Sequence, residues 1–158
     1  MYYSGESRNL EGHGIGGGIM GAIMVAKYIT RQEYQCRCCG EMPPDYTEPS
    51  DLAFEILFDS FALIREEWGA PINITSGYRC LRHNSFVGGR PLSVHQFGLA
   101  LDIKVEPHEI DKLYNIVLEE TPDLRVGKYP NFLHLDVGYL IYPRASEAWK
   151  RGHRWREE

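Results

Sequence analysis

The chain lacks any apolar run approaching the roughly 18 residues that a membrane-spanning helix requires. It also lacks an excess of basic charge: 17 Lys and Arg stand against 22 Asp and Glu, a formal net charge of -5. Phosphate backbones are normally met by basic surfaces, so this balance argues against nucleic acid as the main partner. A secretory start is missing too. Glu6, Arg8 and Glu11 precede the apolar run Ile15 to Ala26, and that run is rich in glycine and has no basic lead-in. Cysteine is scarce and uneven, with three in Cys36-Arg37-Cys38-Cys39 and one at Cys80. Adjacent cysteines do not easily both ligate one tetrahedral metal, which counts against a full zinc ribbon. A disulfide or metal joining the cluster to Cys80, or a set of buried thiols, stays open, and with it the redox compartment.

The 158 residues suffice for one domain around a single core. Residues 1–27 hold seven glycines and few core-forming side chains, and read as a flexible leader, although Ile19, Met20, Ile23 and Met24 have helical spacing. The folded domain is expected over 28–158. Proline and acidic residues make Met42 to Ser50 a loop. Apolar residues recur with helical period through Asp51 to Trp68, and Gly69 ends the pattern. A short strand is expected around Pro71 to Thr75, then a glycine-bearing loop over Ser76 to Val94. Pro107 opens a second helix with the stripe Ile110, Leu113, Tyr114 and Val117. The charged tail Ala145 to Glu158, with Trp149 and Trp155, reads as a surface helix. These elements suggest an α+β domain: a small, mostly antiparallel sheet with helices packed on one face.

Two alternating runs carry the chemistry. In Leu99 to Val105, the residues Leu99, Leu101, Ile103 and Val105 share one face, and Ala100, Asp102 and Lys104 the other. In Phe132 to Val137, Leu133, Leu135 and Val137 oppose Phe132, His134 and Asp136. If these strands are neighbours, Asp102, His134 and Asp136 converge on a polar cleft. His95, seven residues before Asp102, can swing over the same place. Two imidazoles and one carboxylate are the kind of donor set that holds a catalytic zinc. Equally, spacing alone permits a loop histidine and a strand carboxylate paired to Lys or Arg.

Four ordered motifs narrow this choice. They are Ile74-Thr75-Ser76-Gly77-Tyr78-Arg79-Cys80; His83-Asn84 with Val87-Gly88-Gly89; Ser93-Val94-His95-Gln96-Phe97-Gly98 through Asp102-Ile103; and Phe132-Leu133-His134-Leu135-Asp136-Val137. Together with Ile29-Thr30 to Gly40, the series resembles the M15 zinc peptidases, the D-alanyl-D-alanine carboxypeptidase and peptidoglycan endopeptidase family, in its short phage-type form. The resemblance covers roughly residues 29–138. It implies a hedgehog/D-Ala-D-Ala peptidase-like fold, one zinc ion held by His95, Asp102 and His134, and Ser93 placed to hydrogen-bond in the site. It implies Arg79 as the group facing a substrate carboxylate or a developing oxyanion, a task suited to a guanidinium fork. Many relatives carry an acidic general base three positions before the last histidine, where this chain has Asn131. Asp136 is then the candidate catalytic base, or else the residue that orients His134.

The function so implied is hydrolysis of peptide bonds in bacterial cell-wall peptidoglycan, with a wall peptide as substrate partner. The alternative is a non-catalytic zinc-containing wall-binding or phage structural module. With no secretory signal recognised, the expected location is the cytoplasm until lysis releases the protein, or the virion.

Overall fold

The computed structural model describes residues 22–44, 52–141 and 154–156. Most of the expected leader and tail lie outside the described residues. Strand β1 (Met24–Ala26) and strand β2 (Ile29–Thr30) make an antiparallel hairpin, so the end of the glycine-rich stretch is paired. Thr30 then starts the short helix α1 (Arg31–Tyr34) with a reciprocal cap. Its side chain accepts the Glu33 N–H at 3.3 Å, and Glu33 Oε2 accepts the Thr30 N–H at 2.9 Å. This fixes fully buried Tyr34, whose hydroxyl donates to the Gly98 carbonyl at 2.5 Å.

Helix α2 (Leu52–Trp68) buries Ala53, Leu57, Phe61 and Ile64 of the expected helical pattern, leaves Ile56 and Trp68 half-buried, and adds Phe54 and Phe58 to the core. The expected short strand is β3 (Asn73–Ser76). Inside the segment read as loop lies helix α3 (Leu81–Phe86). Only Asn84 of its six residues is buried, so no apolar stripe announces it. A 3₁₀ turn (Val94–Phe97) leads into strand β4 (Ala100–Lys104). Pro107 opens a 3₁₀ turn (Pro107–Glu109), one turn before helix α4 (Ile110–Glu120) begins, and the predicted stripe of α4 is buried. Strand β5 (Arg125–Lys128) was not expected; it has four residues, and Gly127 within it has no side chain to mark a face. Strand β6 (Leu133–Asp136) is the second alternating run. In the tail, Arg154–Arg156 forms strand β7 rather than helix, because it pairs with β5.

The main sheet has the order β3-β4-β6-β5-β7, antiparallel except for the β5–β7 pair. The domain is thus α+β with a mostly antiparallel sheet. Ile74, Leu101, Ile103, Val126, Leu133 and Leu135 join the buried residues of α2 and α4 in one core. The register sets a row across the strands: Ser76 opposite Asp102, Asp102 opposite His134, His134 opposite Gly127, and Gly127 opposite Trp155. Among the described residues no helix is long and apolar enough to cross a membrane.

Leu135 is fully buried on the central strand. Leu135→Ala should lower unfolding free energy by about 2–5 kcal/mol in denaturant titrations, through lost transfer energy plus a cavity. A loss well under about 1 kcal/mol would mean β6 is not the centre of the core.

Candidate metal centre

The β4–β6 register brings Asp102 and His134 together, as expected for neighbouring strands. His134 Nδ1 lies 2.8 Å from Asp102 Oδ1. The 3₁₀ turn brings fully buried His95 over them, with Nε2 3.1 Å from Asp102 Oδ1 and 3.2 Å from His134 Nδ1. Three donor atoms thus form a triangle with edges of 2.8–3.2 Å. Ligands at about 2.0 Å in a tetrahedron would be about 3.3 Å apart, close to these edges.

The far side of each ring is committed. His95 Nδ1 is 2.7 Å from the Gly77 carbonyl, which only a ring N–H can satisfy. His134 Nε2 is 2.9 Å from Asp136 Oδ2, an acceptor as well. With both N–H groups so placed, the two lone pairs face each other and the Asp102 carboxylate. Such a point repels electron pairs and attracts a cation, so the residues present fit a zinc ion held by His95, Asp102 and His134.

The electrostatics agree. Burial pushes the His95 ring below its ordinary pKa, favouring the neutral, ligating form. Burial opposes ionisation of Asp102, but the two imidazoles hold it well below the usual carboxylate range. Burial also opposes a charged His134, yet its hydrogen bonds to Asp102 and Asp136 outweigh this and raise it to about 9 with protein groups alone around it. An ion bound by His95, Asp102 and His134 would take the place of that proton.

Asp136 is fully buried and saturated. Arg125 donates to both its oxygens at 2.7 Å, Gly138 N–H donates to Oδ1 at 2.7 Å, and His134 donates to Oδ2. Burial would raise its pKa, but His134 and Arg125 draw it down to about 2. Arg79 Nη2 lies 3.8 Å from Asp102 Oδ2, and its buried Nε has no partner. The Arg79 backbone N–H donates to the His95 carbonyl at 3.0 Å, tying its loop to the ligand turn. Ser93 lines the cleft without forming a side-chain cap on the turn it precedes. Asn131 is exposed, in the turn closed by the Tyr129 N–H to the Phe132 carbonyl at 3.0 Å.

The cleft beside the triangle measures about 430 Å³ and is walled by Arg79, Leu92, Tyr129, Phe132 and Trp155. Tyr129 and Phe132 stack at 4.3 Å, and the Trp155 ring sits 5.7 Å from that of His134. Trp155 fits because residue 127 is glycine: a Cβ there would lie 2.4 Å from the indole. A larger cleft of about 680 Å³, between Trp68 and Lys104, contains neither metal-binding cluster found among the described residues. Sequence reasoning missed Arg125, the Gly77 carbonyl and Trp155's place in the wall. Arg125 had no signal beyond a charge beside Val126, and Trp155 depends on a distant strand pairing.

The Peptidase M15 family model matches residues 27–136, from the end of the first hairpin strand to the last residue of β6. No curated protein matches the chain. The matched span contains His95, Asp102 and His134 and covers more than half of the sequence, and the chain belongs to the Peptidase M15 family.

Proposed function

We propose that the chain is a zinc-dependent peptidase that cleaves peptide bonds of bacterial cell-wall peptidoglycan, as a D-alanyl-D-alanine carboxypeptidase or endopeptidase of the short phage-type subgroup. The observation carrying this reading is the His95–Asp102–His134 triangle, with both far-side ring nitrogens already engaged, in a chain of this family. A bound zinc ion supplies Lewis-acid polarisation of the scissile carbonyl and activation of water.

The protein's own groups divide the remaining work. Arg79, with an unpartnered Nε at the cleft, receives the substrate carboxylate or the oxygen on which charge develops. The Tyr129–Phe132 stack and Trp155 form an apolar wall that lowers the local dielectric and strengthens those contacts. Asp136 acts as a positioning residue rather than a base, because four donors occupy its oxygens. It holds the His134 tautomer that leaves Nδ1 free. A second reading, a wall-binding module without turnover, is favoured by one fact: among the described residues lining the cleft, Asp102 is the only carboxylate.

Digestion of purified peptidoglycan separates the two readings. The peptidase should release peptide fragments detected by mass, and a chelator or His134→Ala should stop release; binding with no fragments would leave the module. Arg79→Ala should reduce kcat/KM by about 10²–10³-fold with bound metal unchanged. An unchanged kcat/KM would reduce Arg79 to a packing residue. Asp136→Asn should weaken metal affinity about 10–100-fold and recover activity at high zinc. Full metal affinity with activity lost at every zinc concentration would instead make Asp136 the base.

A further inference from the structure

Adjacent cysteines were expected to be poor joint ligands, but the fold brings all four thiols to one point. Cys36 opens a tight turn that Gly40 N–H closes onto the Cys36 carbonyl at 2.8 Å, while Cys36 N–H donates to the Glu41 carbonyl at 2.9 Å. Gly40 takes a left-handed φ of +72°, a conformation open to glycine, at the end of this turn. Cys80 comes from the other side, just ahead of α3. Its N–H donates to Cys36 Sγ at 3.4 Å, and its own Sγ accepts the His83 N–H at 3.4 Å.

Cys38 Sγ is 3.7 Å from Cys36 Sγ and 3.4 Å from Cys80 Sγ. All four sulfurs lie within 4.8 Å of one another, and none is in a disulfide. Zinc–sulfur bonds of about 2.3 Å give a tetrahedral edge of about 3.8 Å, which these separations match. Cys36 and Cys39 also have the C-x₂-C spacing of structural zinc ligands. We propose that Cys36, Cys38, Cys39 and Cys80 bind a second, structural zinc ion, distinct from any ion at His95, Asp102 and His134.

The ion would clamp the turn after α1 to the loop that supplies Arg79 and the Gly77 carbonyl beneath His95. That loop is already tied to α1 through the Tyr78 N–H and the Tyr34 carbonyl, 2.7 Å apart.

Reconstitution of the full chain with Co²⁺ tests this, since only cysteine ligation gives thiolate-to-cobalt charge-transfer absorption. The wild type should show that absorption and, with Zn²⁺, hold about two ions per chain. The His95→Ala/His134→Ala double variant should keep the absorption and about one ion. Cys36→Ser should lower the absorption, whose intensity follows the number of thiolate ligands, and weaken Co²⁺ binding. A wild-type spectrum without thiolate-to-cobalt absorption overturns the proposal, whatever the variants do. So does a non-reduced intact mass short of two hydrogens, which would mean a disulfide in the cluster. Failure of peptidoglycan digestion alongside a positive cobalt spectrum would remove the peptidase reading and leave this site standing.

Discussion

The antiparallel register of β4 against β6 is the constraint on which the site depends. It places Asp102 directly opposite His134 and Leu101 directly opposite Leu135. Side chains alternate along a strand, so one residue of slippage would send Asp102 or His134 into the core and a leucine into the cleft. Burial of Leu101, Ile103, Leu133 and Leu135 therefore does two things at once: it stabilises the sheet, and it forces the polar partners onto the same opposite face.

A second layer of contacts turns that placement into defined chemistry. The neighbouring row puts Arg125 opposite Asp136, and their paired hydrogen bonds lie in the buried interior. Breaking a buried pair of this kind by removing one partner typically costs about 3–5 kcal/mol, since the other charge is left without compensation. Here the pair also sets the orientation and tautomer of His134. On the other side, Tyr34, Gly77 and Gly98 hold the ligand turn: the Tyr34 hydroxyl bonds the Gly98 carbonyl, and the Gly77 carbonyl bonds His95. The cysteine cluster adjoins this scaffold from the α1 side, where Cys36 and Cys80 meet.

Much of this was legible in the residues. Helix α2 shows its period in Ala53, Leu57, Phe61 and Ile64, and α4 in Ile110, Leu113 and Val117, because each buries a stripe. Strands β4 and β6 show alternation because each has one aliphatic face in the core. Helix α3 was not legible: it buries one residue, and its apolar Leu81 and Phe86 are exposed. Strand β5 is too short to show a period, and β7 exists through pairing with β5 across the fold. Local patterns report burial of a face; they do not report long-range partners.

The same distinction separates the two halves of the metal centre. The sequence by itself determined that Asp102 and His134 stand on polar faces of aliphatic strands, because a period of two cannot hide which side is apolar. Through its ordered motifs it also named His95 as their companion. Only the tertiary structure decided that Asp136 is buried against Arg125, Gly138 and His134 rather than open to the cleft, and that Cys36, Cys38, Cys39 and Cys80 converge. Both outcomes rest on contacts between distant segments, and spacing along the chain does not encode them.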